Sequence, residues 1–350
     1  MNPLKAKDVL VGYYGYRNFG DDLFRDVLLK ALKSKSWSAP VVSQHEPGSL
    51  AKLRKHAREA VNLLRARSVT LGGGSILGER PPASIRNIEL AATRIQNLTY
   101  CAIGVGVLEG LADLPHALLC RMSWVGLRSE RDFMAVREHY RQATYTSDLA
   151  YATMTYFPEI AHDLTSSGEV TVIPSVVGEL GRRSAEPGYI SAWLKGNVLR
   201  STCGHKQLKI IVLQPGFRTE SELAERWTTA AERLGIPVRI VLHQAPMVTL
   251  KEISSSRFVY TDRLHGAIAA HLSRVPFRLS RHHPKCLDLL SDLGHPDAGE
   301  VPALADDMQG SRTFLVEEWS LKQQPTVRRH IDLAESGIHS WLAHLEEHLE

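Results

Sequence analysis

Long apolar runs are missing from this 350-residue chain. None approaches the roughly 18–20 residues that a membrane-spanning helix needs. Cysteine is scarce: Cys101, Cys120, Cys203 and Cys286 are widely spaced and form no CxxC pair. That pattern argues against disulfides or zinc and for reduced thiols in a cytoplasmic protein. Charge of one sign is also lacking. A net charge of +4 is too mild to point to nucleic acid or to strong membrane attraction. Met1-Asn2-Pro3-Leu4-Lys5 leads directly into a strand pattern, which leaves no room for a signal peptide. Gly104-Val105-Gly106 with Gly110 has the wrong spacing for GxGxxG, and no acidic residue is placed for a ribose. A nicotinamide cofactor is therefore not expected. No His, Asp or Glu cluster shows metal-ligand spacing, so no metal is expected either.

What the chain does have is alternation. Short β-branched runs and helical patterns follow one another almost from end to end. Val9–Tyr14 reads as a strand, and Leu23, Phe24, Val27, Leu28, Ala31 and Leu32 then mark one face of a helix. Residues 50–67 read as a basic helix, whose charges form a solvated face or, less readily, touch an anionic membrane surface. Strands follow at 68–71, ending in Gly72-Gly73-Gly74, at 100–103 and at 125–128. A linker is expected over 161–168. Further strands are expected near 169–174, 209–214, 238–243, 257–261 and 275–279, with a helix over 219–234. Two α/β units of this kind predict two Rossmann-like domains facing across a cleft, residues 1–165 and 166–310. Residues 311–350 read as terminal helices, Thr313–Lys322 and His330–Leu349, able to pack back across both.

Chemistry concentrates at two junctions. Gly12-Tyr13-Tyr14-Gly15-Tyr16-Arg17-Asn18-Phe19-Gly20-Asp21-Asp22 joins the first strand to the first helix. Asp21 reads either as an N-cap, with Asp22 favoured by the helix dipole, or as part of a polar site. In the second reading Asn18, Asp21 and Asp22 hydrogen-bond a polyhydroxylated acceptor and Tyr14, Tyr16 or Phe19 line its sugar face. The Gly73-Gly74 turn would let backbone approach that acceptor closely, or is simply a turn.

The second junction is Arg263-Leu264-His265-Gly266, between the strand Arg257–Tyr260 and a helix of small residues. Backbone N–H groups at a helix start attract anions. An arginine fork grips carboxylate or phosphate, and a histidine moves protons near neutral pH. Together they suggest an acidic small molecule that is bound and then transformed. Two positions apart on one helix, Arg263 and His265 would diverge. They converge only if Arg263 stays in the loop and the helix begins at about Leu264. Leu264, Ile268 and Leu272 then anchor the helix, and His271 is structural.

These residues together resemble the polysaccharide pyruvyl transferases. The Gly-Tyr-Tyr-Gly-x-x-Asn-x-Gly-Asp start, Gly72-Gly73-Gly74, Arg128-Ser129-Glu130-Arg131-Asp132, Ser147-Asp148-Leu149-Ala150 and Arg263-Leu264-His265-Gly266 with Val275-Pro276 occur in that family's order. The resemblance spans roughly residues 9–280 and implies a GT-B-like fold. It implies transfer of an enolpyruvyl-derived group from phosphoenolpyruvate onto two hydroxyls of one sugar, giving a cyclic pyruvate ketal, with no cofactor beyond that co-substrate. Arg263, Leu264, His265 and Gly266 become the donor site and His265 the general acid, with Asp21 or Asp22 acting on the acceptor hydroxyl from across the cleft. The acceptor can be a polysaccharide, a lipid-linked repeat unit or a glycolipid met at the inner face of the membrane.

The family's first strand in the second domain often ends in a donor-binding arginine. Here Val172-Ile173-Pro174-Ser175 has none, leaving Arg182 or Arg183 to reach in from the next loop. Two other functions compete: a nucleotide-sugar glycosyltransferase of the same architecture, and a non-enzymatic glycan-binding module. The second explains Tyr14 and Tyr16 but gives no reason for Arg263 and His265 to share a junction.

Overall fold

The computed structural model describes residues 7–14, 17–34, 41–42, 66–77, 98–107, 119, 121–162, 169–199, 207–280, 282–294 and 312–348. Tyr16, Gly110, Cys120, Cys203, residues 163–168 of the expected linker and residues 50–65 of the expected basic helix lie outside them. The chain forms two compact units. One comprises residues 1–16, 21–156 and 330–350, the other residues 17–20 and 157–329. The expected division fell at 165/166.

The first unit is built on a parallel sheet of β1 (Lys7–Val11), β2 (Val41–Val42), β3 (Ala66–Gly72), β4 (Ser75–Leu77), β5 (Thr99–Val107), β6 (Met122–Leu127) and β7 (Ala143–Tyr145). The order is β2-β1-β3-β5-β6-β7, with β4 beside β5. Val9, Val11, Val69, Leu71, Ala102, Val105, Val125 and Leu127 are buried in one core cluster. Strands covered on both faces read as near-continuous apolar runs, which is why the sequence marks them clearly. Ala66 and Arg67, expected to end the basic helix, instead open β3, because Ala66 pairs with Lys7 of β1. Gly104 does not end its strand. It takes φ +62° in a register shift of β5, and a Cβ there would lie 2.5 Å from Leu149.

The first helix, Phe19–Ser34, starts three residues earlier than an N-cap at Asp21 requires, so Asp21 and Asp22 both stand in its first turn. Their charge still suits the positive end of the helix. The two expected C-terminal helices are one, Arg312–Glu347, which runs through Pro325. Its His330–Glu347 part belongs to the first unit. Trp341 donates to Thr70 at 3.1 Å, and His330 stacks on Tyr151 at 4.8 Å and meets the Ser147 hydroxyl at 2.7 Å. Ser147 holds φ +57°, so the Ser147-Asp148-Leu149-Ala150 motif is where this segment docks. Asp148 caps the 3₁₀ turn Leu149–Ala152. That same last helix also brings His344, Glu347 and His348 within 4.8 Å of one another, a ligand-type grouping not expected from the sequence.

The second unit carries β8 (Val170–Ile173), β9 (Leu208–Val212), β10 (Val238–Leu242), β11 (Phe258–Thr261) and β12 (Phe277–Leu279), in the order β10-β9-β8-β11-β12 and all parallel. These strands and the helix Arg218–Arg233 fall where the alternation placed them. Cys101 and Cys286 are buried and in no disulfide among the described residues, and burial pushes the Cys101 thiol up to about 12.

At the end of this sheet where its strands begin lies a charge network that the sequence did not announce. Lys209, wholly buried, contacts Glu169 at 2.9 Å and Glu252 at 3.4 Å, and donates to the Glu252 carbonyl and the Ser255 hydroxyl. Arg239 reaches the same two carboxylates at 2.9 and 2.8 Å. Removing one member of a buried pair leaves uncompensated charge. Lys209→Met should cost about 3 kcal/mol in urea unfolding. The hydrogen bond from Arg239 holds the Glu252 carboxyl below its ordinary value. A lowered folded pKa stabilises above the unfolded value and is lost as pH falls through the folded one. Acid titration of unfolding stability should therefore show a loss below about pH 4.5 that Glu252→Gln removes.

Candidate functional site

In each sheet the chain leaves one strand, fills one side, then returns to fill the other. The reversal falls between β1 and β3 in the first unit and between β8 and β11 in the second. Parallel α/β sheets bind ligands at such points, beyond the strand C-termini. Both motif junctions lie there.

In the second unit Ile173, Thr261 and Leu279 are in register. The next residues therefore leave the sheet side by side: Asp262 N–H donates to Ile173 and Ser280 N–H to Thr261. Asp262, buried, then gathers the loops. It accepts from the backbone N–H of Ser175 at 3.0 Å, Leu180 at 3.2 Å and Gly181 at 3.1 Å, and from the Ser280 hydroxyl. Gly178 makes room, because a Cβ there would lie 2.1 Å from the Asp262 carboxyl carbon. The sequence reading missed Asp262; its signal was a carboxylate inside the strand-to-helix junction itself.

Arg263 meets the condition set by geometry. The helix is Leu264–Leu272, and Arg263 precedes it in extended conformation, φ −104° and ψ 128°. Leu264, Ile268 and Leu272 are buried as expected, and so is His271, whose ring meets Phe277 edge-on. The Thr261 hydroxyl brackets the Arg263 peptide, accepting from its N–H at 2.9 Å and bonding its carbonyl at 3.0 Å. Gly266 permits this, since a Cβ would stand 2.5 Å from Thr261 Oγ1.

The guanidinium is aimed by residues the sequence reading did not single out. It donates to Glu220 and, at 3.2 Å, to Gln214. Glu220 is itself buried and receives the Ser175 hydroxyl at 3.3 Å. Ser175, two residues past the end of β8, thus supports Arg263 through a carboxylate. Burial pushes the Glu220 carboxyl up, while Arg263 pulls it down.

The N-terminal motif divides between the units. Arg17–Gly20 cluster with the second unit. Phe19 N–H donates to Leu213 at 3.1 Å and its ring meets His243 at 5.7 Å. Gly20 lies against half-buried His265, and a Cβ there would stand 1.8 Å from His265 Nδ1. Half-buried Asn18 belongs to the same cluster.

Asp21 and Asp22 belong to the first unit and are nearly buried, Asp22 pairing with Arg25 at 3.3 Å. Tyr14 does not offer a ring to a sugar. It is wholly buried and its hydroxyl donates to Gly72 at 2.8 Å, tying the β1 exit to the β3 exit. Burial accordingly raises its pKa. Gly73 and Gly74 take φ +70° and +82°. Gly73 also leaves space for the Phe24 ring, 2.0 Å from where its Cβ would be. Of the arginine alternatives, Arg183 pairs with Glu179 and Glu186 and lies 4.4 Å over Tyr189. It lines a cavity of about 140 Å³ with Tyr260, Thr261, Arg278 and Ser280, at the exits of β11 and β12. Burial holds the His282 pKa down, and the exposed Arg182 is near enough for its charge to help, as is Arg263.

The two parallel-sheet units define a GT-B-like fold, and solved structures share it. The S. aureus MnaA–UDP co-structure superposes with a TM-score of 0.59 at 11% identity, over 98% of this chain and 97% of that one. A putative UDP-N-acetylglucosamine 2-epimerase from Listeria monocytogenes gives 0.56 at 13% identity, over 99% and 97%. A glycosyltransferase from Rickettsia africae gives 0.55 at 11%, over 99% of each. A sequence comparison with curated proteins gave no match. The family model for polysaccharide pyruvyl transferase matches residues 18–284, and the chain belongs to that family. It is thus a transferase acting on glycans.

Glu220, anchored at its far side by Ser175, fixes the direction of the Arg263 guanidinium. Glu220→Ala leaves both partners without that acceptor and should cost about 1–3 kcal/mol in urea unfolding. Unchanged stability would show that the pair contributes nothing to the fold.

Proposed function

We propose that this protein transfers the pyruvate unit of phosphoenolpyruvate onto two hydroxyls of one glycan sugar, forming a cyclic ketal and releasing phosphate. The observation that carries the reading is Arg263 held outside the helix Leu264–Leu272 with His265 in its first turn. The Arg263 fork suits the donor carboxylate, and the helix N–H groups add to the attraction for an anion. His265 gives a proton to the methylene carbon while the first sugar hydroxyl adds to the neighbouring carbon. That hydroxyl's proton replaces the one His265 gave. Asp21 or Asp22 orients the hydroxyl, and Asn18, Gly73 and Gly74 contact the acceptor.

The acceptor is a polysaccharide, a repeat unit on a lipid carrier or a glycolipid. No helix among the described residues is long and apolar enough to cross a membrane, so a lipid-linked acceptor would be met at its surface. We place the reaction in the cytoplasm, with no cofactor beyond the co-substrate.

Phosphate release from phosphoenolpyruvate in the presence of a galactoside or glucoside tests the reading. Nucleoside diphosphate released from a sugar nucleotide instead would make the protein a glycosyltransferase, and neither product would leave a glycan-binding module. His265→Ala should lower turnover at least about 100-fold, the usual scale for a lost general acid, with donor affinity changed far less. Gly20→Ala should act similarly though more weakly. It suits a helix better than glycine, so the fold stands, but its Cβ must displace the His265 ring. Wild-type turnover in both variants would exclude His265 from the reaction.

A further inference from the structure

The cavity of about 140 Å³ at the exits of β11 and β12 lies wholly within the second unit. Tyr260 and Thr261 are neighbours on β11, so their side chains leave opposite faces of the sheet. Thr261 faces Gly266 of the helix Leu264–Leu272. On the other face the Tyr260 hydroxyl donates to Asn197 at 3.0 Å. Tyr189 and Trp193, one turn apart on the helix Tyr189–Leu194, are half-buried there and bring two aromatic rings to the cavity. Neither the Tyr189 hydroxyl nor the Trp193 ring nitrogen is shut off from solvent, and among the described residues neither makes a hydrogen bond. The chain then passes into a short π-helix, Lys195–Leu199, a device frequent at functional sites. It carries Asn197, whose amide is fixed by donating to the Trp193 carbonyl at 2.9 Å and accepting from Tyr260. One amide N–H and one lone pair are left over. Arg183 is met by two carboxylates, Glu179 and Glu186. Glu179 itself lines the cavity, where it repels an anion and can accept from a hydroxyl.

We propose that this cavity holds one sugar ring of the acceptor glycan, a ring other than the one that receives pyruvate. Aromatic side chains beside both donors and acceptors match a pyranose, which presents C–H faces and hydroxyl edges. Size agrees. A cavity of roughly 150 Å³ takes one six-membered ring, whereas sites for drug-sized molecules begin at about 300 Å³. A whole nucleotide is too large. The two faces of the sheet separate this ring from the reacting one: His265 belongs to the helix Leu264–Leu272 on one face, Tyr189 and Trp193 to the other. The glycan then crosses the C-terminal edge of the sheet, where Thr261 and Ser280 form part of the cavity wall. That the ring belongs to the acceptor rests on the proposed function; that a sugar binds here does not.

Methyl glycosides of galactose, glucose and N-acetylglucosamine, titrated by saturation-transfer NMR without donor, test the site. Tyr189→Ala should weaken the bound glycoside about fivefold, the scale of one aromatic contact. Exposed Glu179→Gln should weaken it by a similar factor and guards against a packing defect in the alanine variant. In turnover assays the loss should appear in the acceptor KM rather than in kcat. It should be larger for lactose or cellobiose than for the matching methyl glycoside, because only the longer chain fills both places. Unchanged glycoside affinity in both variants, no glycoside bound by the wild type, or displacement of the glycoside by UMP would overturn the sugar site. Equal changes in KM for the two lengths of acceptor would overturn its separation from the reacting ring. If the wild type binds glycosides through Tyr189 but releases no phosphate from phosphoenolpyruvate, the donor is overturned and the sugar site stands.

Discussion

Asp262 accepts hydrogen bonds from three backbone N–H groups and the Ser280 hydroxyl, all from segments far from it in sequence or across the sheet. Each donor follows a strand at the C-terminal edge of the sheet, Ser175 and Ser280 directly and Leu180 and Gly181 in the helix Glu179–Arg183. Without a shared acceptor, those amides would be buried and unsatisfied, a cost of about 1–3 kcal/mol each. One carboxylate removes that cost for all of them and fixes the loops relative to Arg263, its chain neighbour. The site is therefore placed by an anion that takes no part in binding. Gly178 is the corollary, since only glycine lets the loop close onto the carboxyl group.

The two ends of the same sheet do different work. Where the strands begin, Lys209 and Arg239 are matched by Glu169 and Glu252, so the charges close on themselves. Where the strands end, Arg263 is matched by Glu220 and Asp262 is used up by amides. A closed network adds stiffness but attracts nothing. An edge carrying helix starts and an aimed guanidinium attracts anions. Parallel strands make this separation natural, because every loop that follows a strand emerges at one edge.

The strands were legible because strands covered on both faces must be apolar throughout, as Ile210, Ile211 and Val212 are. The start of the Leu264–Leu272 helix was legible too, from the requirement that an arginine and a histidine two residues apart converge. Other features were hidden for physical reasons. Tyr14 carries the residue type of a sugar platform, but its hydroxyl found a carbonyl 58 residues away, a pairing that no local pattern encodes. Pro325 reads as a break, yet the helix continues through it. Glu220 reads as one more carboxylate on a helix with several, and only the fold shows that it stands under Arg263.

The same logic extends to the loop after β8. Serine at 175 bonds Glu220, and Glu220 bonds Arg263, so this loop gives the crevice between β8 and β11 aim rather than charge. The Arg263 guanidinium is thereby fixed in direction, and a planar fork fixed in direction selects an anion by the placing of its oxygens, not by charge alone.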